Sequence, residues 1–413
     1  PAQAGPGVAW SPGDPWPRGG PWSHDEVLFI RVHQGFEVWF AQFLHELDSV
    51  LTESDEGFHA AHGDLPRVEL AERRGDARPH RAELFPKLHE AISHHADGGV
   101  ADAIRFMPAP GHYAINAPAP TSWLNAESLE RWTFRLRRAA AAMQVTLPFF
   151  DVLATLTPAQ FLEFRGRLVP ASGFGSVQFR EMELSLGMRE AVNEKMATAA
   201  EQRAQAGAGG AGDAIRPSVH DQLTDWGRSR IQQRLKRPTL RDLVYALLNG
   251  IAIELWPDEA ERNGVFDRFA RRNVDAAVGD WHKALQQRAP THSDHFLLQE
   301  QIRELGVLMS HRETIVAALL EMHTPGEPVL KQVKLFIDAC LGLDDMLLRW
   351  RHRHLPFVEA MIGVRPGTGG GGLKYLRSTV AERRDHLAYG LPCLWQARSL
   401  VQNPRSMEGE RRT

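Results

Sequence analysis

Cysteine is scarce in this chain: Cys340 and Cys393 are the only two in 413 residues. Two thiols cannot staple a chain of this length into a disulfide scaffold, so the expected setting is a reducing, cytoplasmic one. Positive charge is not in excess either. The 48 Lys and Arg stand against 51 Asp and Glu, for a net charge of −3. No surplus of cations is available to neutralise phosphates, which disfavours nucleic acid and anionic membrane surfaces as partners. No apolar run approaches the roughly 20 residues of a membrane-spanning helix, and no charged-then-apolar signal pattern opens the chain. No stretch alternates as a strand does, and no internal repeat is visible. What these absences leave is an all-α chain long enough for a large core.

Histidine is abundant, with 19 residues. His89, His94, His95, His292 and His295 sit in polar stretches and read as surface groups. Two others lie in apolar helical surroundings. His33 falls in Asp25-Glu-Val-Leu-Phe-Ile-Arg-Val-His-Gln-Gly-Phe-Glu-Val-Trp-Phe, a segment apolar nearly all round and therefore expected to be buried. Ser23 and Glu26 are spaced as the capping box that would open it. His354 shares a face with Leu347, Trp350, Phe357, Val358 and Met361 at spacings of three and four, so it is expected to point inward. His352 lies on another face and is the weaker candidate. Each inward imidazole is either a packed core histidine or a metal ligand, and spacing alone leaves both open.

Residues 1–22 hold Trp10, Trp16 and Trp22 among many Pro and Gly residues, as expected of an arm that docks onto the body or a neighbouring subunit. Residues 55–125 are polar and interrupted. Helices are expected near 127–155, from Thr157-Pro158 onward, and over 174–203, 220–235, 239–254, 257–288, 294–322, 327–341, 344–362 and 373–386. Residues 204–213 have the composition of a flexible linker. The Gly367-Thr-Gly-Gly-Gly-Gly372 loop exposes backbone N–H groups, but it lacks the Lys-Ser or Lys-Thr of a phosphate loop, and no strand precedes it. Arg165, set among Phe161, Phe164 and Phe174, reads either as a surface residue or as a half-buried fork for a carboxylate.

Taken in order, several segments resemble the tryptophan 2,3-dioxygenase family of histidine-ligated haem proteins. They are His24-Asp-Glu-Val-Leu-Phe-Ile-Arg-Val-His-Gln, Leu153-Ala-Thr-Leu-Thr-Pro, Phe164-Arg, Pro170-Ala-Ser-Gly-Phe-Gly-Ser-Val-Gln-Phe-Arg, Arg353-His354, Met361-Ile-Gly, Gly367-Thr-Gly-Gly and Tyr375-Leu-Arg-Ser-Thr. The resemblance implies one all-α haem-binding catalytic domain over 23–400, with an insertion at about 55–125 and a polar tail at 401–413. It makes His354 the proximal ligand of a haem b iron and His33 the distal histidine that meets the indole N–H. Phe29 and Phe161 become walls of the indole pocket. Arg165 and Thr368 hold the amino-acid end of the substrate, and Ser172 and Gly173 form the turn beside the haem. The implied reaction is insertion of O2 across the indole C2–C3 bond of L-tryptophan or a substituted tryptophan, giving an N-formylkynurenine-type product. A homotetramer is implied as well.

The chain departs from the family's pattern in three places. The usual Tyr-x-x-Tyr-Leu has no match in residues 1–22, the usual Gly-Gly-Ser-Ser-Gly-Tyr reads Gly369-Gly-Gly-Gly-Leu-Lys, and the stretch before Leu153 is long. These changes touch pocket closure and the hydrogen bonds around bound oxygen. They keep open an alternative: a haem monooxygenase or peroxygenase, driven by O2 or peroxide, that adds one oxygen atom to a tryptophan-like substrate and gives an oxindole or hydroxylated product. A third reading, a non-catalytic haem-binding protein, would have no need of an amino-acid clamp.

Overall fold

In a computed structural model of the chain, the described residues are 23–62, 125–168, 173–188, 223–285, 312–322, 328–363 and 390–401, with residues 297, 365, 376, 377 and 380. Their regular structure is helical throughout, as an all-α chain requires. The N-terminal arm, most of the 55–125 segment, the 204–213 linker, the 367–372 glycine loop and the tail beyond Val401 lie outside them.

In chain order the helices are α1 (His24–His62), α2 (Ala126–Val145), α3 (Phe149–Leu153), α4 (Pro158–Leu168), α5 (Val177–Leu186), α6 (Asp225–Leu235), α7 (Leu240–Leu255), α8 (Glu259–Leu285), α9 (Arg312–Met322), α10 (Pro328–Ile362) and α11 (Pro392–Ala397). The local chemistry explains most of the boundaries. Ser23 Oγ accepts from the Glu26 N–H at 3.2 Å, and Glu26 accepts from the Ser23 N–H at 3.3 Å, which closes the expected capping box. Thr157 and Gln160 cap α4 in the same manner. The helix expected over 127–155 breaks between Thr146 and Pro148, because Pro148 offers no N–H and crowds the residue before it. Within the helix expected over 174–203, α5 is capped at Gly187, which takes φ of 108°, a conformation that favours glycine, and residues 189–203 lie outside the described residues. The two helices expected over 327–341 and 344–362 are one, α10, which runs through Gly342 and Pro356.

α1 and α10 lie along α2, and these three long helices form the central layer. Phe43, Leu47, Leu129, Leu136, Met143, Phe336, Leu343 and Leu347 are fully shielded there. Each such side chain contributes about 1.5–3 kcal/mol on leaving water. Arg135 pairs with Glu53 at 2.7 Å and Arg138 with Glu46 at 3.3 Å across the α1–α2 seam. α1 is not buried all round, however. Val32, Phe36 and Phe40 face inward, whereas Val38 is 66% exposed and Arg31, Gln34 and His45 are open among the described residues. The helix is packed on one side, and its apolar sequence overstates its burial.

α7, α9 and α11 pack together beside this layer. α11 and the residues before it join α10 through Asp344, whose carboxylate accepts from the Gly390 N–H at 2.9 Å, the Leu391 N–H at 3.2 Å and Trp395 Nε1 at 3.0 Å. Burial pushes the Asp344 carboxyl upward, and these three donors pull against that shift. Arg241 passes over Gly187 to reach the Gly390 carbonyl at 2.7 Å. A Cβ at Gly187 would lie 2.5 Å from Arg241 Cβ, so the passage requires glycine there. Among the described residues, no single helix is long and apolar enough to cross a membrane.

Candidate active site

The central layer opens into a cavity walled by α1, α3, α4, the start of α5 and the last turns of α10. α1 contributes Phe29, His33 and Phe36 to its wall, and α10 contributes Trp350, His354 and Phe357. Helical spacing explains both sets: Phe29, His33, Phe36 and Phe40 recur at three and four along α1, as do Trp350, His354 and Phe357 along α10. Phe36 bridges the two helices. Its ring lies 5.9 Å from His33, 5.1 Å from Phe150 and 5.8 Å from Trp350. Trp350 and Phe150 in turn lie 4.9 Å and 5.8 Å from the His354 ring.

Both imidazoles are uncharged at neutral pH. Burial pushes His354 down to about 4, and the nearby His33 adds to the shift. Burial lowers His33 too, against the opposing pull of its hydrogen bond to Phe29 and of the Glu37 carboxylate. His33 has accessible surface and forms part of the cavity wall. Its Nδ1 lies 2.7 Å from the Phe29 carbonyl oxygen, which can only accept. Nδ1 therefore carries the proton, and Nε2 keeps a lone pair for a donor in the cavity.

α4 supplies the polar end. Phe161 is buried, with its ring 5.6 Å from Phe29, and Arg165 is half-buried on the cavity wall. Arg165 thus lies on the cavity wall and not on the open surface. α4 is held to α1 by Arg167, 3.2 Å from the buried Glu26. Gly173 and Ser176 line the cavity where α5 begins. The structure thus gathers His33, His354, Phe29, Phe161, Arg165 and Gly173 around one space. Thr368 and Ser172 lie outside the described residues.

Sequence reasoning missed a buried ionic cluster on the same wall. Arg180 Nη1 lies 2.6 Å from Glu183, and Arg351 donates to Glu183 at 2.9 Å. It also missed Glu37, whose Oε2 accepts from Gln178 at 2.6 Å.

Fold and cavity together define an all-helical protein with an aromatic-walled internal site between two uncharged imidazoles, entered by an arginine. The family model described as tryptophan 2,3-dioxygenase matches residues 123–222 and 267–401. The chain belongs to the tryptophan 2,3-dioxygenase family and is an enzyme, an oxidoreductase. The matched stretches contain Phe161, Arg165 and His354, whereas α1 with Phe29 and His33 precedes them. Among curated relatives, the tryptophan 2,3-dioxygenase of Alteromonas mediterranea is 24% identical over 384 residues, covering 89% of this chain and 83% of that one. The tryptophan 2,3-dioxygenase of Bdellovibrio bacteriovorus is 27% identical over 380 residues, covering 88% and 82%. Tryptophan 2,3-dioxygenase 2 of Ralstonia nicotianae is 27% identical over 407 residues, covering 93% and 87%.

Proposed function

We propose that this enzyme uses haem b and O2 to open the indole ring of L-tryptophan or a substituted tryptophan, giving an N-formylkynurenine-type product. The observation that carries the reading is the convergence of His33, His354 and Arg165 on one aromatic cavity from helices far apart in the chain.

The donor set fits haem. Neutral His354 offers a lone pair inside an apolar wall. Among the described residues, no group of three His, Cys, Asp or Glu gathers to hold a bare metal ion. A porphyrin supplies four nitrogen donors of its own, so one protein imidazole suffices to hold its metal. When bound, ferrous haem supplies the capacity to bind and activate O2.

The chain's own residues do the rest. Arg165 presents a planar fork to the substrate carboxylate. Phe29 and Phe161 clasp the flat indole by ring contact. His33 Nε2 accepts the indole N–H and so fixes the ring's orientation, with its own tautomer fixed by Phe29. The phenylalanine and tryptophan walls exclude water from the reacting bond. Thr368, in the glycine loop, is assigned to the amino-acid end. Cytoplasmic residence and a homotetramer complete the proposal.

The altered glycine loop favours a second reading, transfer of a single oxygen atom to a tryptophan-like substrate. One experiment separates the two. The haem-loaded protein is reduced without air, then given O2 and L-tryptophan, and the product is weighed. A gain of two oxygen atoms supports ring opening, and a gain of one supports the monooxygenase. Absence of any product with tryptophan and its methylated or hydroxylated analogues, under O2 or peroxide, would overturn both.

A further inference from the structure

We propose that the buried cluster of Arg180, Glu183 and Arg351 seats the carboxylate edge of the planar cofactor, so that its two guanidinium groups hold the porphyrin's anionic side arms while His354 holds its metal. The inference rests on the haem reading above and extends it to residues that reading does not use.

Four observations converge. First, the cluster is built on the cavity wall and is almost fully shielded. Arg180 is 3%, Glu183 0% and Arg351 4% exposed, and all three line the cavity that holds His354. Second, two guanidinium groups meet one carboxylate there. Arg180 approaches one Glu183 oxygen at 2.6 Å, and Arg351 donates to the other at 2.9 Å. Third, Arg351 stands one turn before His354 on α10, a rise of about 4.5 Å, so one rigid helix face presents both groups. Fourth, α5 begins at the cavity. Ser176 caps it, Gly173 and Ser176 line the wall, and Arg180 sits one turn inside. The positive end of a ten-residue helix therefore adds to the guanidinium field.

Energetics favour a ligand role over a purely structural tie. Taking ions out of water costs several kcal/mol each, and apolar residues join two helices as well or better. The same cluster at a cavity edge has a use. Guanidinium forks pair with carboxylates in a bidentate manner and gain strength in an apolar surrounding. Phe179 lies under the Arg180 guanidinium at 5.0 Å from ring centroid to Cζ and helps fix its plane. Glu183 orients both arginines before the cofactor arrives, which reduces the ordering cost of binding.

The test compares two porphyrins on the full-length, cofactor-free protein: ferric protoporphyrin IX and its dimethyl ester, in which both carboxylates are blocked. The expected result is a histidine-ligated Soret band with each, with the ester binding at least about tenfold more weakly, equivalent to ~1.4 kcal/mol. Equal affinity for the two would overturn the proposal while leaving the haem reading intact. Failure of both to give a stoichiometric histidine-ligated band would overturn the haem reading, and the proposal with it. A paired variant, Arg351→Met with Glu183→Gln, removes one cation and one anion together. It should lower free-acid affinity toward that of the ester and leave ester affinity unchanged. Full preference retained in the folded variant would count against the assignment. If circular dichroism shows the variant unfolded, the wild-type comparison alone decides.

Discussion

His33 donates from Nδ1 to the carbonyl oxygen of Phe29 at 2.7 Å, one turn back along the same helix. The bond fixes a tautomer, and the tautomer fixes what the cavity can recognise: a donor, met by Nε2. His33→Ala should keep haem but lose that acceptor. A hydrogen bond to a buried group is worth about 1–3 kcal/mol, so the preference for tryptophan over its indole-N-methylated analogue should fall roughly tenfold or more. Competitive binding titrations with the two ligands read this directly. An unchanged preference would show that His33 does not meet the indole N–H.

His354→Ala should abolish stoichiometric haem binding or shift the Soret band, and added imidazole should restore it. A native spectrum without imidazole would rule out the ligand assignment. The low affinity of His354 for protons, near 4, leaves the ring ready to ligate throughout the neutral range.

Acid should weaken the cofactor-free protein. An unfolded imidazole takes its proton near 6.5, and the folded His354 takes one only near 4. Between these values the unfolded state binds more protons, so stability falls as pH falls through that window, by up to ~1.4 kcal/mol per pH unit for such a histidine. His33, also lowered, acts in the same direction. Urea unfolding at pH 7 and pH 5 should show a smaller acid loss in His354→Phe than in wild type. Equal losses would mean that His354 is not buried in its neutral form.

Arg165→Ala should weaken binding of L-tryptophan by about 1–3 kcal/mol and leave the decarboxylated amine nearly unaffected. The comparison separates a carboxylate clamp from a general packing role, because a packing defect would weaken both ligands alike.

Asp344→Ala removes the acceptor from two backbone N–H groups and the Trp395 indole. Three donors left buried should cost on the order of 3 kcal/mol or more, read as a lower urea midpoint. The segment from Gly390 to Leu400 should also become a protease target before the rest of the chain.

Much of this architecture was legible in the sequence. The Ser23–Glu26 capping box and the Thr157 cap before Pro158 mark the starts of α1 and α4, because a side-chain acceptor there serves the first free N–H groups of a helix. The inward face of α10 is legible for a similar reason, since apolar spacing reports a periodic wall. Continuity was harder to read. Gly342 looks like a break, yet it lies on the open side of α10 while Cys340, Leu341 and Leu343 are buried around it. Tertiary packing therefore outweighs the ~1 kcal/mol that a helical glycine costs. α11 was missed because its six residues are too few to show a period. The Arg180–Glu183–Arg351 cluster was missed because charges on two distant helices carry no joint pattern until the helices meet.

The cavity takes one wall from α1 and the opposite wall from the last turns of α10. During synthesis at about 5–20 residues per second, His33 therefore leaves the ribosome roughly 15–65 s before His354. For that interval α1 has no α10 to cover Phe36 and Phe40, and its apolar face is exposed to aggregation or to capture by chaperones. A polypeptide released before α10 is made would carry the His33 wall without the His354 wall, so the cavity exists only once both helices have been synthesised.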